Sequence, residues 1–184
     1  MNSKNYFNNL IERGLLKKEK IGLDQVRALL ASSAKNLAAS RKTIAIDEET
    51  CFAMAYTAML KIARAILFLH GLRPSDGQQH KTTIEVAGNI LGGEFKELIE
   101  KFDKMRRKRN QFTYDPLLPL SERETEDALK TAENFFEKVN HHDNVFHKQS
   151  IPMFANQYQK RYDTCLDLCN IFALQYFHEQ TVCK

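Results

Sequence analysis

Apolar residues recur at three- and four-residue steps along most of this chain, the period of amphipathic helices, and no stretch of strand-like alternation is long enough to predict a strand. A short amphipathic segment, Tyr6 to Arg13, ends at Gly14 as a helix C-cap. Leu23, Val26, Leu30 and Leu37 predict a second helix that fades near Lys42. Asp47 is an N-cap, with Glu48 and Glu49 favourably placed in the first turn of a third helix that reaches His70. On that helix Phe52, Tyr56, Met59, Ala63, Ile66 and His70 form one stripe. Alanines 53, 55, 58 and 65 flank it, and Lys61 and Arg64 are its only charges between Thr50 and Leu69. A helix apolar nearly all round belongs in the middle of a bundle.

Gly71 and Pro74 stop this central helix, and Ser75-Asp76-Gly77 forms a polar loop. A shorter helix follows from Lys81 to about Ile90 and breaks at Gly92-Gly93. The next runs from Glu94 toward Thr113 and ends at Asp115-Pro116, because the residue before proline is pushed out of the α region. Residues 116–120 make a rigid connector. Ser121-x-x-Glu124 is a capping box for a helix whose inner face carries Ala128, Leu129, Ala132, Phe135, Phe136 and Val139. The pattern changes at Asn140: His141 to Asn144 is a polar break, Pro152 restarts the chain, and Phe154, Tyr158, Tyr162, Cys165, Cys169, Phe172 and Tyr176 mark one last amphipathic helix. The prediction is an all-α fold: residues 1–140 as a helical bundle, and residues 141–184 as an extension whose helix packs on the bundle or on a partner.

One stripe breaks its own rule. Phe95, Leu98, Phe102, Met105, Arg109 and Phe112 share a helical face, so a guanidinium falls among apolar neighbours. Burying it costs free energy unless it is paired or faces a wet cleft. Snorkelling is the plain alternative, the stem packing while the head reaches water. From Lys104 to Arg109, five of six residues are cationic, the densest charge in a chain of 184 residues with a net charge of only +4. That concentration fits a phosphate-bearing partner, and equally a helix end whose dipole favours cations.

Composition narrows the class. Seven Gly and four Pro suit long helices better than a turn-rich β fold. The longest apolar run, Ile62 to Leu69, is well short of the roughly 20 residues a membrane helix needs, and the first residues lack a signal-peptide core. Cys51, Cys165, Cys169 and Cys183 have no disulfide-framework spacing, so the expectation is a cytoplasmic protein with reduced thiols and no membrane contact.

The middle of the chain, Leu23 to Val139, resembles the HEPN domain family (higher eukaryotes and prokaryotes nucleotide-binding). The resemblance rests on the Ala-Tyr-rich helix Ala55-Tyr56-Thr57-Ala58-Met59-Leu60, on His80-Lys81-Thr82-Thr83-Ile84-Glu85, and on Arg106-Arg107-Lys108-Arg109-Asn110-Gln111-Phe112-Thr113-Tyr114. It implies an antiparallel, four- or five-helix up-and-down bundle that dimerises. Many members are metal-independent endoribonucleases, often toxins paired with a separately encoded nucleotidyltransferase-type antitoxin. Their motif is an arginine, a polar residue, and a histidine a few positions on, with the two copies facing across a dimer cleft. Carried over, Arg109 matches the arginine and Asn110 the polar follower, while Tyr114 holds the histidine position.

That exchange bears on chemistry. Metal-free RNA cleavage needs groups that take and return protons near the working pH; histidine does so unaided, whereas tyrosine, with a pKa of about 10, stays protonated. Arg109 would still grip a phosphate bidentately, and Tyr114 would act as an acid, or as a base if neighbouring cations depress its pKa, or more modestly hydrogen-bond a phosphate or stack on a base. Arg106, Arg107, Lys108 and His80 are the accompanying phosphate-binding candidates, His80 standing at a helix start where it is either a cap or the missing base. Three readings remain open: an RNA-directed HEPN protein that cuts without metal, a non-catalytic nucleotide-, RNA- or protein-binding adaptor, and a purely structural helical dimer whose basic run is no more than a solvated helix end. His141, His142, His147, Cys165, Cys169, His178 and Cys183 lack zinc-finger spacing, so no metal and no cofactor is expected.

Overall fold

The helix from Glu48 to Leu69 organises the chain because it is apolar nearly all round, and its neighbours bury their single apolar stripes against it. A computed structural model describes residues 3–115, 117 and 119–142. In chain order these form α1 (Ser3–Glu12), β1 (Leu16–Lys18), α2 (Leu23–Thr43), α3 (Glu48–Leu69), β2 (Leu72–Pro74), α4 (Gln79–Leu91), a single 3-10 turn at Gly93–Phe95, α5 (Lys96–Tyr114) and α6 (Glu122–Asn140). The fold is an all-α helical bundle, and α3 packs against α2, α4, α5 and α6. Tyr56, Met59, Ile62, Ile66 and Leu67 of α3 are fully buried, joined by Phe95, Phe102 and Phe135 from the helices around it. The last amphipathic helix predicted from Phe154 to Tyr176 lies outside the described residues.

The local signals behave as their chemistry demands. The Asp47 carboxylate accepts from the Thr50 amide at 2.8 Å and starts α3. Ser121 and Glu124 close the predicted capping box on α6. Gly14 takes a φ of 71°, where a side chain would be strained, and lets the chain turn out of α1. Two features differ from the sequence reading. Residues Leu16–Lys18 and Leu72–Pro74 pair as a short antiparallel ladder, with Leu16 opposite Pro74 and Lys18 opposite Leu72. Three residues are too few to show an alternating pattern, and the ladder fastens the start of the chain to the turn after α3. Moreover, α3 as a whole is long and apolar enough to cross a membrane by length and composition. The eight-residue run had understated it, because Lys61 and Arg64 interrupt the apolar sequence but not the helix. Its surface is instead covered by the surrounding helices.

Glycine at position 88 sets how close α4 and α5 come. A Cβ there would lie 3.1 Å from Cγ2 of Ile99, tighter than ordinary contact. The starts of α4 and the end of α5 are thereby held side by side, which is what builds the site.

Candidate functional site

The basic run of α5 does not act as one patch, because successive residues on a helix point about 100° apart. Lys108 turns toward α6 and pairs with Glu124 at 2.8 Å. Arg107 points outward and reaches Asp103 at 3.2 Å. Arg106, with only 18% of its side chain exposed, donates from Nε to Asp103 at 2.7 Å. Arg106 and Asn110, one turn apart, face the loop before α4 and its first turn. With Asp76, Gly77, Gln78, Gln79, His80 and Lys81 they enclose a cleft of about 440 Å³.

The amino end of α4 opens into this cleft, and among the described residues no side chain caps it. Its first amide N–H groups and the positive end of its dipole are therefore free for an anion. Asp76, which also lines the cleft, accepts from Thr82 Oγ1 at 2.5 Å through one carboxylate oxygen, and its other oxygen is buried with no hydrogen-bond partner among the described residues. His80 stands on the first turn, half-buried, with Nδ1 3.0 Å from the Tyr56 hydroxyl of α3. Burial and then the charges of Arg64, Arg109 and Arg106 hold the imidazole below its usual range. Burial likewise pushes Tyr56 up to about 12, against an opposing pull from Arg106, Arg109 and Arg64. Three guanidiniums from two helices thus converge electrostatically on one Tyr–His pair.

Arg109 keeps the position its periodicity predicts. Phe95, Leu98, Phe102, Met105 and Phe112 are buried and Arg109 among them is half-buried. Among the described residues neither Arg109 nor Arg64 has an ion pair or a side-chain hydrogen bond. Tyr114 does not join them: it is 82% exposed at the very end of α5. The structure therefore brings together Arg106, Asn110 and His80, with Arg109 acting on His80 through its charge, and leaves Arg107, Lys108 and Tyr114 elsewhere. Sequence reasoning missed Arg64 and Tyr56 as site residues. The signal for Arg64 was the one used for Arg109, a cation on a helix otherwise apolar. Tyr56 gave none, since a tyrosine on a buried stripe reads as core.

A larger groove of about 590 Å³ lies between α5 and α6 over Phe52, Leu98 and Met105, rimmed by Lys101, Lys104, Lys108 and Lys130. Three of those lysines are already neutralised: Lys101 by Glu97 at 2.8 Å, Lys108 by Glu124, and Lys130 by Glu126 at 3.5 Å. The unpaired guanidiniums of Arg64 and Arg109 act on His80 of the smaller cleft, although neither lines it. No group of three or more His, Cys, Asp or Glu side chains able to hold a metal occurs among the described residues.

A bundle built round an Ala-Tyr-rich helix, with an arginine-asparagine pair near the end of a later helix, is the pattern of one domain class. The HEPN domain family model matches residues 26–142, and the chain belongs to that family. No curated protein and no solved structure matches it.

Proposed function

We propose that this HEPN domain binds RNA through its phosphates, in a cationic cleft that two copies of the chain complete as a homodimer. The observation that carries the reading is the pair of half-buried guanidiniums, Arg64 and Arg109, unpaired among the described residues, whose charges act on His80 at the open amino end of α4. Cations placed so are costly to the folded chain unless an anion arrives. Arg106 and Asn110 add polar contacts, and the α4 amides suit a phosphate oxygen. A dimer brings a second set of these groups, and with it a second Tyr114, to the same polyanion. The reading places the protein in the cytoplasm with RNA or a nucleotide as its ligand. In a toxin–antitoxin or defence setting, its protein partner is a separately encoded nucleotidyltransferase-type antitoxin.

A second reading, metal-independent cleavage, is favoured by one observation: a histidine, His80, stands within reach of the Arg109 charge. Incubating the purified chain with RNA in EDTA separates the two. Salt-sensitive binding without cleavage, weakened in Arg109→Ala, supports the binding module. Cleavage that survives chelation and disappears in Arg109→Ala supports the ribonuclease. Sedimentation of the same preparation tests the dimer, and a monomer at all concentrations rejects the shared cleft.

A further inference from the structure

The Tyr56–His80 contact has a direction that its surroundings decide. Tyr56 is 1% exposed, and among the described residues its hydroxyl has one partner, Nδ1 of His80. A buried O–H without an acceptor is expensive, so the hydroxyl uses its proton on Nδ1. With its pKa pushed up to about 12, Tyr56 keeps that proton at any physiological pH. A neutral imidazole carries a single N–H, and with Nδ1 accepting, that N–H is on Nε2. Burial and the Arg64, Arg109 and Arg106 charges together disfavour a second proton on the ring. Nε2 is the ring nitrogen left for whatever enters the cleft that His80 lines.

We propose that Tyr56 is a positioning residue that fixes His80 as the Nε2–H tautomer, making His80 a neutral hydrogen-bond donor to a phosphate oxygen of the RNA and not the proton acceptor of a cleaving site. The inference rests on the RNA-binding reading above and narrows it. With His80 in this form, Arg106, Nε2–H and the open α4 amides all donate. A phosphate oxygen accepts only and fits such a set. A 2′-hydroxyl that must lose its proton to become a nucleophile finds no free lone pair on His80. Discrimination for a phosphate therefore comes from these donors, with His80 taking no proton.

Nitrogen-resolved NMR of the full chain without RNA, near neutral pH, reads the tautomer directly, with His80 assigned by the signals lost in His80→Gln. The expected result is a pyridine-type Nδ1 and a pyrrole-type Nε2, with the Nδ1 signal moved in Tyr56→Phe. A pyrrole-type Nδ1, or a doubly protonated ring, overturns the proposal. Binding of a short single-stranded RNA in EDTA, followed by fluorescence anisotropy, tests the donor role. The Gln amide can replace the Nε2–H, so His80→Gln stays within about threefold of the wild type while His80→Ala loses about tenfold. Equal behaviour of the two His80 variants, with Arg106→Ala impaired, overturns this inference and leaves the cleft reading standing. If Arg106→Ala and Arg109→Ala bind as the wild type does, the cleft reading falls and the inference falls with it. RNA cleavage by the wild type that is lost in His80→Gln also overturns it, since the amide donates but transfers no proton.

Discussion

Lys108 of α5 reaches Glu124 of α6 at 2.8 Å, and Glu124 is also the residue that closes the capping box on Ser121. One carboxylate thus ties the basic end of α5 to the start of the next helix. The Lys108 contact and then the Ser121 backbone and hydroxyl bring its pKa down to about 2 from a usual 4.5. Because the folded value is the lower one, the stabilisation is complete above about 4.5 and is lost as pH falls toward about 2. Glu124→Ala is expected to lower stability at neutral pH by about 1 kcal/mol, most of it from the cap because the ion pair is solvent-screened. Chemical denaturation of wild type and variant across the acid range checks this: the two curves converge at the acid end.

The resemblance joins Arg109 and Tyr114 in one motif, yet their substitutions are expected to separate. Arg109→Leu removes an unpaired, half-buried charge from an apolar stripe, so stability rises by up to about 1 kcal/mol. RNA affinity falls about tenfold, and the dependence of log K on log salt loses about one phosphate's worth of slope. Tyr114→Phe touches only an exposed side chain, so stability stays within about 0.5 kcal/mol of the wild type. Thermal unfolding and anisotropy on the same samples give both readings. An Arg109→Leu chain that is less stable and binds RNA normally would mean that the arginine is structural.

Gly88→Ala introduces a Cβ 3.1 Å from Cγ2 and 3.3 Å from Cγ1 of Ile99. Alanine favours the helix by up to about 1 kcal/mol over glycine, but the crowding costs about 1–3 kcal/mol. The expected net effect is a loss of about 1 kcal/mol. Since α4 carries His80 and α5 carries Arg106, pushing the two apart also weakens RNA binding. Ile99→Ala in the Gly88→Ala background makes room for the methyl group, and its denaturation curve tests whether the coupling is real.

Much of the bundle was legible because its rules are local. Asp47, Ser121 and the stripe from Phe95 to Phe112 each announce a cap or a face within a few residues of the groups they act on. The ladder between Leu16 and Pro74 was not, since each strand is shorter than the period needed to reveal it. Nor was the division of the basic run. Sequence spacing tells that Arg106, Lys108 and Arg109 point in different directions, but not that Glu124 waits for one and His80 stands near the others. The Tyr56–His80 contact joins residues 24 apart on different helices, and each alone reads as something plain, a core tyrosine and a helix-start histidine. Arg109 was visible because it contradicts its own stripe; contradiction of a local rule was the most informative signal in the chain.

Arg64 offers the strictest test of that lesson, because it breaks the pattern of α3 in the way that Arg109 breaks the pattern of α5. After burial, its charge is the largest influence holding His80 below the usual range. Arg64→Leu is therefore expected to raise the His80 pKa, measured by NMR titration, toward the ordinary value of about 6.5. The sign for stability follows. A folded-state value below the unfolded one leaves stability intact above about pH 6.5 and erodes it as pH falls below that, so the erosion is shallower in Arg64→Leu. At neutral pH the variant gains stability by up to about 1 kcal/mol, since an unpaired cation has left the core helix. RNA affinity drops at the same time, because the lost cation is one of those that a phosphate would neutralise. A variant in which the His80 titration does not move would place Arg64 too far from the cleft to take part, and the site would reduce to what α4 and α5 supply.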